Sequence, residues 1–217
     1  MRFVYNDGGR SNYFKVGNVG DCCCRAICNT TGLDYKRIYD LINKISVLES
    51  TKHHRRGQTS SARDGVFKET AIKIIEALGG EKVKVQEFGS SIKCHLCDED
   101  LNQYNKGSYL LILSKHYSSL INGDLVDTYD CSRDGDRQVY SMYKMNKTLD
   151  EYNKLLEAFE VKMDKKVKNK ISQNEVDERR NVRINKRLNE IEQQIINTRN
   201  TLNRLIEERN ELRRKLK

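Results

Sequence analysis

After Gly135 the chain runs to Lys217 without a glycine, and it contains no proline at all. Those two residues interrupt helices most readily, so nothing in this stretch opposes one long helix. Leu188, Ile191, Ile195, Thr198, Leu202, Leu205, Arg209, Leu212 and Leu216 follow an unbroken 3-4-3-4 spacing. That is the a/d seam of a coiled coil over about four heptads, with Thr198 and Arg209 as weak points. Self-association, or docking of a partner helix, is therefore expected through 184–216. Residues 148–180 are charged and only weakly periodic, which predicts a helical linker ahead of a basic coiled coil over 181–217.

The net charge of +9 belongs almost wholly to this tail. Residues 161–217 carry 17 Lys and Arg against 9 Asp and Glu, whereas residues 1–160 are nearly balanced. Any attraction to nucleic acid should come from the tail and be electrostatic only. No tyrosine follows Tyr152, and no base-reading motif is present. No run of apolar residues is long enough to cross a membrane. The N-terminal MRFVYNDGGR lacks the apolar core of a secretory signal. Seven cysteines, three of them adjacent, do not read as a disulfide framework. Together these point to a reducing cytoplasmic setting, the host cytoplasm if the chain is encoded by a phage or virus.

Residues 1–147 read as one α+β domain. Asp21 stands at an N-cap position ahead of CCCRAICNTTG, and Gly32 closes that helix. Asp34 starts a second helix, whose Ile38, Leu41, Ile42 and Ile45 share one face. Residues 49–66 lack apolar periodicity and read as an exposed loop, with a basic run at Lys52–Arg56. A third helix over roughly 67–78 stops at Gly79-Gly80. The period then changes. KVKVQEF (82–88) alternates, SYLLILSKHYSSLI (108–121) is apolar and β-favouring, Asn122-Gly123 signals a hairpin, and RQVYSMYKM (137–145) supplies a last strand. Helices followed by an antiparallel sheet is an α+β order.

Cys22 falls in the first turn of the first helix, where unpaired N–H groups and the helix dipole favour a thiolate. Cys23, Cys24 and Cys28 read as small buried core residues. Successive helical residues are turned about 100° apart, so only one of three adjacent thiols faces a given site. His116 ends the apolar run. A hairpin centred on 122–123 brings Asp127 diagonally near it, with Asp130 as the alternative orienting carboxylate. Taken alone, His116 reads as a strand histidine bonded to backbone.

Gly20-Asp21-Cys22-x-x-Arg25-Ala26 resembles the GDC-x-x-R-A signature of small phage- and prokaryote-encoded proteins of the papain-like cysteine peptidase superfamily. His116, followed by Ile121-Asn122-Gly123-Asp124 and Asp127-Thr128-Tyr129-Asp130, resembles that group's histidine hairpin. Ser132-Arg133-Asp134-Gly135 through Val139-Tyr140 resembles the segment after it. The resemblance covers about residues 17–145. It implies papain-like helices packed on a sheet, and acyl transfer on a peptide or isopeptide substrate. In that chemistry Cys22 is the nucleophile, His116 the general base and Asp127 its orienting group. Asn18 either donates its amide to the oxyanion or serves as a turn asparagine. Arg25 is expected to pair with a carboxylate. Many members of the group have no demonstrated reaction, so an inactive domain serving as an oligomeric assembly or binding module is the competing expectation.

No metal or cofactor is expected. Cys94-His95-Leu96-Cys97 has C-x-x-C spacing but no second ligand pair, since His53, His54 and Cys131 are scattered. A redox role would need a βα context that this region lacks.

Overall fold

A computed structural model describes residues 1–15, 19–49, 58–85 and 93–215. They divide into two compact units, Met1–Val167 and Lys168–Lys217.

The first unit opens with a short strand, β1 (Phe3–Tyr5), and three helices: α1 (Cys22–Thr31), α2 (Tyr35–Ser46) and α3 (Lys68–Ala77). Next come β2 (Glu81–Val83), β3 (Cys94–His95), the single turn α4 (Asp98–Leu101), β4 (Ser108–Leu113), β5 (His116–Ile121), β6 (Asp124–Asp127) and β7 (Gln138–Lys144). The sheet order is β1-β6-β5-β4-β7-β2, with β3 also pairing β7. This is an α+β arrangement.

Two local signals act as read. Asp34 caps α2, accepting the Arg37 N–H at 2.9 Å. Gly32 closes α1 at φ 72°, where its N–H reaches the Cys28 carbonyl. Asp21 departs from the expectation. It occupies the N-cap position of α1 without capping it, because its carboxylate is turned inward to Arg25 and Tyr35.

The sheet departs from expectation in two places. It is mixed, since β1 pairs parallel to β6, with Phe3 opposite Leu125 and Tyr5 opposite Asp127. Three residues are too few to show a period, so sequence alone could not assign this strand a partner. In addition, 108–121 is two strands. Ser114-Lys115 makes a tight turn, with Lys115 at φ 54°, and β4 folds back on β5 with Leu113 opposite His116. Without Gly, Asn or Asp there, the turn carries no composition signal. His116 therefore begins a strand rather than ending one.

The sheet is covered on both faces, which explains why β4 reads as a continuous apolar run. Leu110 and Ile112 join the helices α1, α2 and α3 in one core, while Tyr109, Leu111 and Leu113 join Leu120, Leu125, Val139 and Met142 in another.

Helix α5 (Leu149–Lys215) is the long C-terminal helix. Within the first unit its Tyr152, Leu156, Phe159 and Met163 are buried in the helix-side core. Each such side chain is worth about 1.5–3 kcal/mol on burial. The Arg37–Glu160 and Lys44–Asp164 pairs, each at 2.8 Å, are partly exposed and worth about 1 kcal/mol or less. Apolar burial therefore dominates the docking of these first turns, and the charged character of 148–180 hides a core stripe. In the second unit, Leu188, Ile191, Ile195, Leu202 and Leu205 are exposed along the helix. No helix among the described residues is long and apolar enough to cross a membrane.

Candidate active site

The segment before α1 delivers Cys22 to a cleft of about 1000 Å³. Gly20 packs directly on the 61–65 turn: a Cβ there would sit 3.0 Å from the Asp64 carbonyl carbon and oxygen. A side chain at this position would push that turn away, so the glycine sets how closely one wall of the cleft approaches Cys22. Ser61 and Gly65 close the turn by exchanging backbone bonds at 2.8 and 3.1 Å. This part of the expected loop is thus ordered, with Ser60 and Ala62 buried. The run Lys52–Arg56, with His53 and His54, lies outside the described residues, as does Asn18.

Helical rotation separates the three adjacent thiols. Cys22 is half-buried and lines the cleft, while Cys23 and Cys24 are fully buried. Burial first, then neighbouring thiols, pushes the Cys23 pKa well above its ordinary value. Burial likewise raises Cys24, helped by Cys28. Neither is poised as a thiolate. Because no side chain caps α1, Cys22 stands at an N-terminus without a competing side-chain acceptor.

His116 also lines the cleft, from the first position of β5. Its Nε2 lies 2.7 Å from Asp127 Oδ2. The β5–β6 register (Ser119 opposite Val126, Leu120 opposite Leu125) places residue 129 opposite 116, so Asp127 lies two residues along on the same face. Asp130 is not the orienting group: its carboxylate accepts the Ser132 N–H at 2.9 Å. With Nε2 committed to Asp127, Nδ1 is the nitrogen left to exchange a proton. The thiols of Cys22 and Cys131 both act on the ring and favour its charged form. Tyr129 packs beside it, ring centroids 5.3 Å apart.

Electrostatics around this pair are concentrated and internal. Arg25 donates to Asp21 from one arm and to Asp127 Oδ1, at 3.3 Å, from the other. Asp21 also accepts the Tyr35 hydroxyl at 2.7 Å and has Arg10 at 3.7 Å. Thr128 N–H donates to Asp127 Oδ1 at 2.7 Å. Burial opposes the charged form of His116, but Asp127, then Cys131 and Cys22, outweigh it and raise its pKa to about 11. Burial also opposes the Asp127 carboxylate, and His116, Thr128 and Arg25 more than offset that, holding its pKa below the ordinary value. The two charged forms support each other.

Sequence alone does not place two residues of this neighbourhood at the site: Cys131 reads as a scattered ligand candidate, and nothing singles out Arg137. Cys131 is 1% exposed, and its sulfur stands with a ring nitrogen of His116 and a carboxylate oxygen of Asp127, all within 4.8 Å of one another. Its spacing of four from Asp127 gave no signal, because the chain between them leaves the strand. Buried Arg137 donates to the Cys131 carbonyl at 3.3 Å and to the Ser114 carbonyl at 2.8 Å. It thereby ties the β4–β5 turn, and with it His116, to the 131 segment. Cys94 and Cys97 take no part. Cys94 is buried in the second core, and burial pushes its thiol up to about 11.

No family model, no curated protein and no solved structure matches the chain.

Proposed function

We propose that the N-terminal unit is a thiol hydrolase of papain-like type, a cysteine peptidase or amidohydrolase acting on a peptide or isopeptide bond. One observation carries this reading: a helix-N-terminal cysteine and a carboxylate-held histidine line the same cleft, near enough for the thiol to raise the histidine pKa. In this mechanism the imidazolium of His116 sits beside the Cys22 sulfur and balances a thiolate. The thiolate attacks the substrate carbonyl, and His116 protonates the departing amine. The acyl-enzyme is then released by water, with His116 accepting the proton. Backbone N–H of Cys22 is the donor closest in sequence to the developing oxyanion. Asn18 is retained as the proposed second donor.

The test is site-resolved alkylation. At pH 5 an ordinary thiol is almost wholly protonated and reacts slowly. Iodoacetamide is expected to modify Cys22 at least about tenfold faster in the folded chain than in the denatured one. Equal rates would remove the activated-nucleophile reading.

A second reading concerns the tail and is favoured by the exposed 3-4 stripe of α5. The tail forms a coiled coil, most simply with a second copy of the chain, and in an inactive domain this assembly role would be the function. Sedimentation equilibrium of the full chain is expected to give a multimer, and Ile191→Lys with Leu202→Lys a monomer. A monomeric wild-type chain at micromolar concentration would exclude self-association. Nucleic-acid contact through the basic tail is a weaker proposal, resting on charge alone; binding indifferent to salt would exclude it. A cytoplasmic location fits seven free thiols.

A further inference from the structure

The buried cluster at the proposed base includes a thiol, Cys131, that the hydrolytic reading does not need. His116 nitrogen, Asp127 oxygen and Cys131 sulfur lie within 4.8 Å of one another, and the three side chains are 7%, 2% and 1% exposed. Nitrogen, carboxylate oxygen and thiolate sulfur are the ligands that a borderline-soft dication prefers, with bonds of about 2.0–2.3 Å. Donors around one tetrahedral ion then stand roughly 3.3–3.7 Å apart. The His116–Asp127 contact of 2.7 Å must open by somewhat over half an ångström, and the sulfur must close in by about an ångström at most. Side-chain torsions alone can make such shifts.

We propose that His116, Asp127 and Cys131 form a Zn²⁺ site whose occupation silences Cys22. Binding releases the proton shared by His116 and Asp127 and the thiol proton of Cys131, and leaves the ion with three protein ligands. A water completes the tetrahedron. Asp127 keeps its other oxygen on Thr128 and Arg25, so the carboxylate arrives already oriented. The Arg25 charge is shared with Asp21, which tempers its repulsion of the ion. An occupied site replaces the Nε2 proton and breaks the His116–Asp127 contact that supports the imidazolium, so hydrolysis slows while the fold is held more tightly.

The ion site rests on the cluster and not on any turnover, so it can stand or fall apart from the hydrolase reading, on which only the silencing of Cys22 rests. The probe is Co²⁺ titrated into the full, reduced chain, followed by Zn²⁺ competition. One equivalent is expected to bring thiolate-to-cobalt charge-transfer absorption and the visible bands of a tetrahedral site, both abolished by Zn²⁺. Cys131→Ser should remove the charge-transfer band, and Zn²⁺ should raise the melting temperature of the wild-type chain but not of this variant. Should Cys131→Ser fold poorly, Cys94→Ser with Cys97→Ser answers the same question from the other side, since the signal must survive it. Cobalt absorption that follows Cys94 and Cys97, or no stoichiometric binding at all, overturns the proposal. Zn²⁺ should also slow alkylation of Cys22 at least about tenfold, as expected when the imidazolium that balances its thiolate is lost. Unchanged alkylation with the ion bound would overturn the silencing.

Discussion

Arg25→Met is expected to destabilise the fold by about 3–5 kcal/mol, the usual cost of removing one partner from a buried ion pair. Arg25 is 4% exposed and neutralises two carboxylates, Asp21 at 0% and Asp127 at 2%. Methionine fills similar volume, so the loss reports charge rather than a cavity. Small domains hold only about 5–15 kcal/mol in total, and the variant should sit near the edge of folding. Adding Asp21→Asn should recover part of the loss by removing one stranded charge. The exposed Lys36–Asp40 pair is a contrast: Lys36→Ala should cost under about 0.5 kcal/mol. Urea denaturation at neutral pH measures all three. A loss below about 1 kcal/mol for Arg25→Met would show that the network holds nothing up.

Asp127→Asn is expected to act on stability and on reactivity together. His116 is raised in the fold to about 11, so its contribution is complete below about 6.5 and fades as pH rises toward that value. Asp127 is lowered, so its contribution is complete above about 3.9 and fades as pH falls through its folded pKa. Stability from the pair should therefore peak between about pH 4 and pH 6.5, and the variant should lose both flanks. On reactivity, the asparagine no longer supports the imidazolium, and rapid alkylation of Cys22 at pH 5 should fall to the rate of an ordinary thiol. Against a cleavable substrate, turnover should drop by less than the roughly 10⁴ of the same change in a Ser-His-Asp triad, because an asparagine also orients the histidine of a Cys-His site. A flat pH profile in the wild-type chain, or undiminished alkylation in the variant, would separate Asp127 from His116 in function.

Much of the helical half was legible because its signals are local. The caps at Asp34 and Gly32 and the stripe from Ile38 to Ile45 involve residues within one or two turns. The β5–β6 hairpin was legible for the same reason: Asn122-Gly123 fixes the register, and the register alone brings Asp127 toward His116. The turn at Ser114-Lys115 was not, because its backbone is imposed by pairing on both sides and by Arg137 rather than by its own residues.

Asp21 shows where local reasoning gives way. Its residue type and position are those of an N-cap, yet a buried arginine outcompetes the helix amides for its carboxylate. Cys131 is the clearer case. Read along the chain it is a stray thiol; in space it joins His116 and Asp127.

By itself the sequence determined the three N-terminal helices, the long terminal helix, and Cys22, His116 and Asp127 as the residues to watch. Periodicity, capping and hairpin register are short-range effects that a single chain displays. The tertiary structure alone decided that Arg25 bridges Asp21 to Asp127, and that a second cysteine stands near the imidazole. Those facts depend on burial and on contacts across about a hundred residues of chain, such as Arg25 to Asp127. No local pattern records where such side chains meet.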